Sequence, residues 1–457
     1  MSRKHFGTDG VRGVANKKLT VELAMSLGQA AGRWLVETGQ VKRVVIGRDT
    51  RRSGPMLSSA LAAGLCSVGI DVVSIEVAPT PTIAFVARTG DFGIGAIVSA
   101  SHNPAQDNGI KFVGHDGCKL ADEVELRIEE LMITDEPGPT GAEIGTFSID
   151  LSGIEAYLKL LESVVPERLD GLRVAVDAAH GAAFELGPEI LGRLGAQLSV
   201  IGVEPDGMNI NAVGGATKPD FIQGYTKQMG ADIGVAFDGD ADRAVFSDEK
   251  GRLINGDRTI GIWAAHYQQA GELDPPTVVG TVMSNGGFAA YMDSRGIKLE
   301  RTPVGDKYVA QKIQESGALV GGEQSGHIIF PRRGPTGDGL VTMLELLRVL
   351  NKEGRPASSF YDDYEPWPQV MINVGVESTA GWKERVSAEI EEGESELKGR
   401  GRIVVRPSGT QPVIRVMVEA DEYALRDRVA DRIVKAMERE LAGEVHGRVD
   451  LTYALGD

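Results

Sequence analysis

Asp238, Asp240 and Asp242 alternate along the chain and are followed at once by Arg243. They come after an apolar run at 233–237. Alternate residues of an extended segment turn to one side, so the three carboxylates can converge on one hard cation. A calcium loop competes for the pattern, and Glu249 even falls at its twelfth position. That loop needs glycine at its sixth position, where this chain has Arg243, and helical flanks where the pattern here reads strand. Carboxylates beside an arginine fit magnesium shared with a phosphate better; the plainer alternative is a solvated acidic turn.

Three other loops combine chemistry-bearing residues. Ser99-Ala100-Ser101-His102-Asn103-Pro104 follows the apolar strand 94–98, where a hydroxyl can be exposed and held by backbone groups. Taken alone it reads more readily as a Ser/Asn/Pro turn, and His102 as a structural hydrogen bonder. No G-x-S-x-G elbow surrounds Ser101, so a hydrolase triad is not supported. In Gly321-Gly322-Glu323-Gln324-Ser325-Gly326-His327, paired glycines permit close approach to a ligand, and Glu323 and Ser325 can bond sugar hydroxyls. In Arg406-Pro407-Ser408-Gly409-Thr410-Gln411-Pro412, with Arg415 just beyond, small residues, hydroxyls and arginine forks suit a phosphate. No Walker A motif occurs in the chain. Each loop has an ordinary turn as its alternative. Together they supply a nucleophile, a metal, sugar contacts and a phosphate anchor.

The elements that must carry these loops follow a repeat. A strand at Val44, a polar loop, a helix ending at Gly69 and a strand at 70–75 recur from Val174 through Gly195 to Val200, and from Val278 through Gly296 to Leu299. This βαβ order predicts three related α/β domains with parallel strands. A Gly/Pro/Glu-rich stretch at 135–147, the start of a helical pattern near Asp257, and Glu365-Pro366-Trp367-Pro368 set the boundaries. The expected domains are 1–150, 151–257, 258–366 and 367–457. The last reads strand, helix, strand, strand, helix, a small α+β unit.

Composition narrows the function further. A net charge of −17 argues against nucleic acid and anionic membranes, which need a basic surface. No apolar run reaches membrane-span length, and the polar start MSRKHFGTDG has no secretory core. Two cysteines, Cys66 and Cys118, are too few for a disulfide framework. A reducing cytoplasm fits best.

At these four loops the chain resembles the α-D-phosphohexomutase superfamily, and the likeness runs in order over nearly the whole chain. It extends to Phe6-Gly7-Thr8-Asp9-Gly10-Val11-Arg12-Gly13, Asp107-Asn108-Gly109-Ile110-Lys111-Phe112, Thr281-Val282-Met283-Ser284-Asn285 and Val304-Gly305-Asp306-Lys307-Tyr308. Ser99 in the serine loop and Gln324 in the sugar loop resemble the branch acting on glucosamine phosphates, with glucose or mannose phosphates as the alternative. Three departures are Ala241 for a frequent glycine, Gln411 for a usual glutamate, and Gly214-Gly215-Ala216-Thr217 in a loop without assigned chemistry.

The resemblance implies three related α/β domains with mixed, mainly parallel sheets, plus a C-terminal α+β domain, around a central cleft. It implies phosphate carried on Ser101, with Mg2+ held by Asp238, Asp240, Asp242 and an oxygen on Ser101. It implies Lys111 as general base, a role needing a lowered pKa, and His102, Arg12 and Arg243 as charge stabilisers. Glu323, Ser325 and His327 would contact the sugar; Arg406, Ser408, Gly409, Thr410 and Arg415 would hold its far phosphate. Glucosamine 6-phosphate would pass through glucosamine 1,6-bisphosphate to glucosamine 1-phosphate, in amino-sugar metabolism ahead of UDP-N-acetylglucosamine. The partner is then a small hexosamine phosphate; relatives suggest a homodimer. A hinge at Pro366 and Pro368 would let the last domain close.

Overall fold

The computed structural model describes residues 4–7, 9–134, 136–408 and 412–455. Its strands fall into four sheets in chain order. The first holds β1 (Val11–Val14), β2 (Arg43–Arg48), β3 (Asp71–Val77), β4 (Ile94–Val98), β5 (Asp107–Gly114) and β6 (Phe147–Ile149). The second holds β7 (Arg173–Asp177), β8 (Gln197–Ile201), β9 (Ile233–Phe237), β10 (Ala244–Asp248) and β11 (Leu253–Ile254). β12 (Thr277–Thr281), β13 (Lys298–Thr302), β14 (Gly321–Gly322) and β15 (Ile328–Ile329) form the third. β16 (Gln369–Gly375), β17 (Gly401–Pro407), β18 (Val413–Ala420) and β19 (Glu444–Asp450) form the fourth.

The first three sheets share one topology. Each contains a four-strand unit in the spatial order fourth, third, first, second: β5-β4-β2-β3, β10-β9-β7-β8 and β15-β14-β12-β13. In each unit the first strand runs parallel to both neighbours, and the fourth pairs antiparallel with the third. The predicted βαβ repeats are the first-to-second strand crossovers, with helices Gly54–Ser67, Leu186–Arg193 and Gly286–Ser294 between the parallel strands. β4 and β9 are buried along their whole length, as strands covered on both faces must be.

The unit has a consequence for function. The hairpin between its third and fourth strands carries Ser101 in the first domain, Asp238 to Asp242 in the second, and Glu323 to His327 in the third. Three equivalent loops therefore bear three of the four predicted functions.

The fourth sheet is antiparallel, in the order β17-β18-β16-β19, with helices Trp382–Glu396 and Tyr423–Leu441 packed on it. β19 was not expected from sequence: Glu-Val-His-Gly-Arg-Val-Asp has few apolar residues. It is an exposed edge strand joined to β16 through an irregular register at Asn373/Val374. Among the described residues no helix is long and apolar enough to cross a membrane.

Candidate active site

Ser101 lies just past β4 with φ +49°, a left-handed conformation uncommon for a residue with a side chain. Hydrogen bonds fix the loop around it. Its amide donates to Ser99 Oγ (2.9 Å), and Ser99 Oγ donates to Asp49 Oδ2 (2.6 Å). Arg51, fully buried, donates to the carbonyls of Ser101 and Asn103 at 2.8 Å each, of Asp107 at 3.0 Å, and of Pro104. Its Nε meets Asp49 Oδ2 at 2.8 Å. From the second domain, Asn211 Nδ2 reaches Ser101 O at 2.9 Å. The turn is over-determined from both sides, and its conformation holds the hydroxyl toward the aspartate loop.

Ser101 Oγ donates to Asp238 Oδ2 at 2.7 Å, and His102 Nδ1 stands 3.3 Å from the same hydroxyl. Gly239 allows this closeness, since a Cβ there would lie 2.5 Å from Ser101 O. Ligand atoms of Asp238, Asp240 and Asp242 lie within 4.8 Å of one another. Asp238 and Asp240 are buried, while Asp242 keeps 13% of its side chain exposed. Burial first, then the neighbouring Asp242 and Asp240, raises the Asp238 carboxyl well above the usual carboxylate range. Oδ1 of Asp240 and Oδ1 of Asp242 are buried without a hydrogen-bond partner. Hard oxygen donors left unsatisfied at one point fit a divalent cation such as magnesium.

Lys111, on β5, donates to Asp240 Oδ2 at 2.9 Å and stands 3.9 Å from both Asp9 and Asp242. Burial alone would lower its pKa, but Asp240, Asp9 and Asp242 outweigh burial and raise it above the ordinary lysine range. With no metal on the aspartates these carboxylates favour the charged form of Lys111, which is not the lowered pKa that a general base needs. Asp240 also accepts from Thr80 Oγ1 at 2.6 Å; burial is outweighed there, chiefly by Lys111, and its carboxyl is lowered. Arg12 pairs with Asp9 and donates to Ala100 O at 3.4 Å; Arg243 donates its amide to Asp238 Oδ1 at 3.3 Å.

The third domain adds His327, 4% exposed, whose Nδ1 is 3.7 Å from Asp242 Oδ2. Burial disfavours its charge, yet Asp242 above all pushes its pKa up to about 9. Glu323 accepts from the Gly305 amide at 2.9 Å, and Ser325 is buried in the same turn. Gln324 lies apart from the serine and aspartate loops. It is 1% exposed and lines a small cavity with Asp257, Arg258, Tyr361 and Thr452, none of which belongs to the serine or aspartate loop. The turn that presents Glu323 to one side carries its neighbour to the other.

In the fourth domain Arg406 and Arg415 sit directly opposite on β17 and β18. Burial, then the Arg415 charge, lowers the pKa of Arg406, and Glu323 partly offsets both. Like charges across a strand pair are unfavourable unless an anion joins them. Ser408 ends the described part of this loop, and Gly409, Thr410 and Gln411 lie outside the described residues. Sequence reasoning assigned no role to Asp9, Asp49, Arg51, Thr80 or Asn211. Asp9 stood in a segment it had marked, and Asn211 lies just ahead of the Gly214-Gly215-Ala216-Thr217 departure. Arg51 follows the strand end of the first βαβ unit, the position where such folds place ligand-handling loops.

A serine on an over-determined turn, a buried aspartate triad and facing arginines on a fourth domain define a phosphosugar transferase built from a repeated α/β unit. The comparisons agree. Residues 3–138, 155–251, 255–367 and 371–436 match, in order, domains I, II, III and the C-terminal domain of phosphoglucomutase/phosphomannomutase. The chain belongs to this family and is an enzyme of the isomerase class. It is similar to phosphoglucosamine mutase from Desulforamulus reducens, 45% identical over 94% of this chain and 98% of the relative. It is likewise similar to phosphoglucosamine mutase from Bacillus subtilis, 44% identical over 96% of this chain and 100% of the relative. Among solved structures, a phosphoglucomutase/phosphomannomutase family protein from Burkholderia thailandensis superposes with a TM-score of 0.80 at 26% identity, covering 95% of this chain and 96% of its own.

Proposed function

We propose that the protein interconverts glucosamine 6-phosphate and glucosamine 1-phosphate through phosphate carried on Ser101, and that it works in the cytoplasm. The hydrogen bond from Ser101 Oγ to a triad of converging carboxylates carries the reading. Asp238, Asp240 and Asp242 would hold Mg2+ together with an oxygen on Ser101, and the ion would neutralise phosphoryl charge.

The sugar 1-hydroxyl attacks the phosphorus on Ser101; the O1–P bond forms, the Oγ–P bond breaks and the hydroxyl proton ends on the departing Ser101 Oγ, giving the 1,6-bisphosphate. The intermediate turns over in the cleft and its 6-phosphate returns to Ser101. Phosphoryl transfer is mostly positioning and electrostatics, so the demand on a base is modest. Lys111, as an ammonium, stabilises the transferring oxygens beside Arg12, His102 and Arg243. Glu323, Ser325 and His327 orient the sugar. Arg406 and Arg415, with Ser408, Gly409 and Thr410, anchor the phosphate that is not reacting.

The test compares kcat/KM for glucosamine, glucose and mannose phosphates on one phosphorylated preparation, with Ser101→Ala beside it. Preference for glucosamine phosphate and loss of both covalent phosphate and turnover in Ser101→Ala are expected. Turnover retained by Ser101→Ala sinks the mechanism; preference for glucose phosphate sinks the substrate.

A further inference from the structure

Thr281 to Asn285 forms a turn after β12 that plays no part in the reaction described above. Its carbonyls instead receive the C-terminal domain. Arg402, on β17, donates from Nη2 to Ser284 O at 2.6 Å and from Nη1 to Val282 O, while its Nε meets Glu419 Oε1 at 2.8 Å. Gln369 Nε2 reaches Met283 O at 3.1 Å and Glu419 Oε2 at 3.2 Å. Gln369 and Glu419 are fully buried. Asn285 staples the linker to the same turn, accepting from the Trp367 amide at 2.8 Å and donating to Trp367 O at 2.9 Å. The Trp367 ring rests on Gly286, where a Cβ would stand 2.4 Å from it.

Strand register extends this seam to the phosphate anchor. Side chains two apart share a face, so β17, β18 and β16 present three rows on one side. The first row is Arg402, Glu419 and Gln369; the second is Val404, Met417 and Met371; the third is Arg406, Arg415 and Asn373. The first row clasps the turn. The second packs with Met283 in a buried methionine cluster. Methionine is unbranched and adapts to shifts, so this row alone does not fix where the sheet sits. Four residues of extended strand, about 13 Å, separate Arg402 from Arg406.

We propose that Arg402 is a positioning residue that locks the C-terminal sheet onto the 281–285 turn and so sets where Arg406 and Arg415 stand. This rests on reading those arginines as the phosphate anchor. A guanidinium fork serves two carbonyls and a carboxylate at once, whereas lysine offers a point charge.

The test is Arg402→Lys and Arg402→Gln in the full-length protein, read by steady-state kinetics with glucosamine 6-phosphate and by hydrogen–deuterium exchange. We expect KM to rise about 10-fold in both variants with kcat changed far less. Exchange should quicken at 282–287 and 366–371. Arg402→Lys keeps a charge for the buried Glu419 and decides the matter should Arg402→Gln not fold. A wild-type KM with wild-type exchange overturns the proposal, as does a lowered melting temperature with KM unchanged. A raised KM with unchanged exchange would mean direct phosphate contact and equally overturns it. Should the unaltered protein fail to turn over glucosamine phosphate, the functional reading falls, and exchange alone judges the latch.

Discussion

Ser101 and Asp238 stand 137 residues apart in the chain, yet the serine hydroxyl donates a 2.7 Å hydrogen bond to the aspartate carboxylate. The first two domains thus meet at the reacting atom. Asp238→Asn should cut kcat by about 100-fold or more through lost electrostatic preorganisation. Because burial already opposes charge at this carboxyl, the metal-free variant should melt no lower than the parent. The rise in melting temperature on adding Mg2+ should shrink sharply. Thermal melts with and without Mg2+ check this, and an undiminished Mg2+ response would exclude Asp238 as a ligand.

Arg51 is the buried hub of the serine loop, joining Asp49 to four backbone carbonyls. Arg51→Met leaves Asp49 uncompensated and should cost on the order of 3–5 kcal/mol. Urea denaturation would register that loss. Covalent phosphate on Ser101 should fall with it, because the left-handed turn loses its support.

Arg406 and Arg415 repel each other across β17 and β18. Arg406→Gln is expected to move stability and function in opposite directions. Relief of the like-charge pair gives about 0.5 kcal/mol at low salt. KM for the sugar phosphate should rise about 10-fold as a charge-assisted contact is lost. A drop in melting temperature with unchanged KM would contradict both halves.

Asp338 supplies the pH prediction. It caps helix Gly339–Glu353 by accepting from the Val341 amide at 2.9 Å, and it accepts from Tyr157 OH at 2.9 and 2.8 Å. Burial raises its carboxyl from 3.8 to about 6. The folded state therefore holds the proton more tightly than the unfolded chain. The stability this contributes is complete below about pH 3.8 and lost as pH rises through about 6. Asp338→Asn keeps a capping oxygen and cannot ionise. It should exceed the parent by on the order of 1–3 kcal/mol above pH 6, with the gap closing below pH 4. Melts across pH 3.5 to 8 measure it; a constant difference would show that burial of this carboxyl carries no penalty.

Much of the architecture was legible because it rests on local signals. The strand–helix–strand units beginning at Val44, Val174 and Val278 show in apolar runs and glycine stops, and each appears as a parallel crossover. β19 escaped notice because an exposed edge strand needs little apolar character. Where the Gln324 side chain lies was not legible, because neighbours in a tight turn face different ways and a motif does not say which side meets the cleft.

By itself, the sequence determined which loops carry a hydroxyl, carboxylates or guanidinium groups, and the repeated unit that places three of them at equivalent hairpins. Residue type and spacing suffice for that, because backbone periodicity is local. Only the tertiary structure decided that Asp238 meets Ser101, that Arg51 ties the serine turn, and that Lys111 stands among Asp240, Asp9 and Asp242, which favour its charged form. Proximity across more than a hundred residues and the charge state of a buried group are properties of packing and local dielectric, which exist only once the domains have closed on one another.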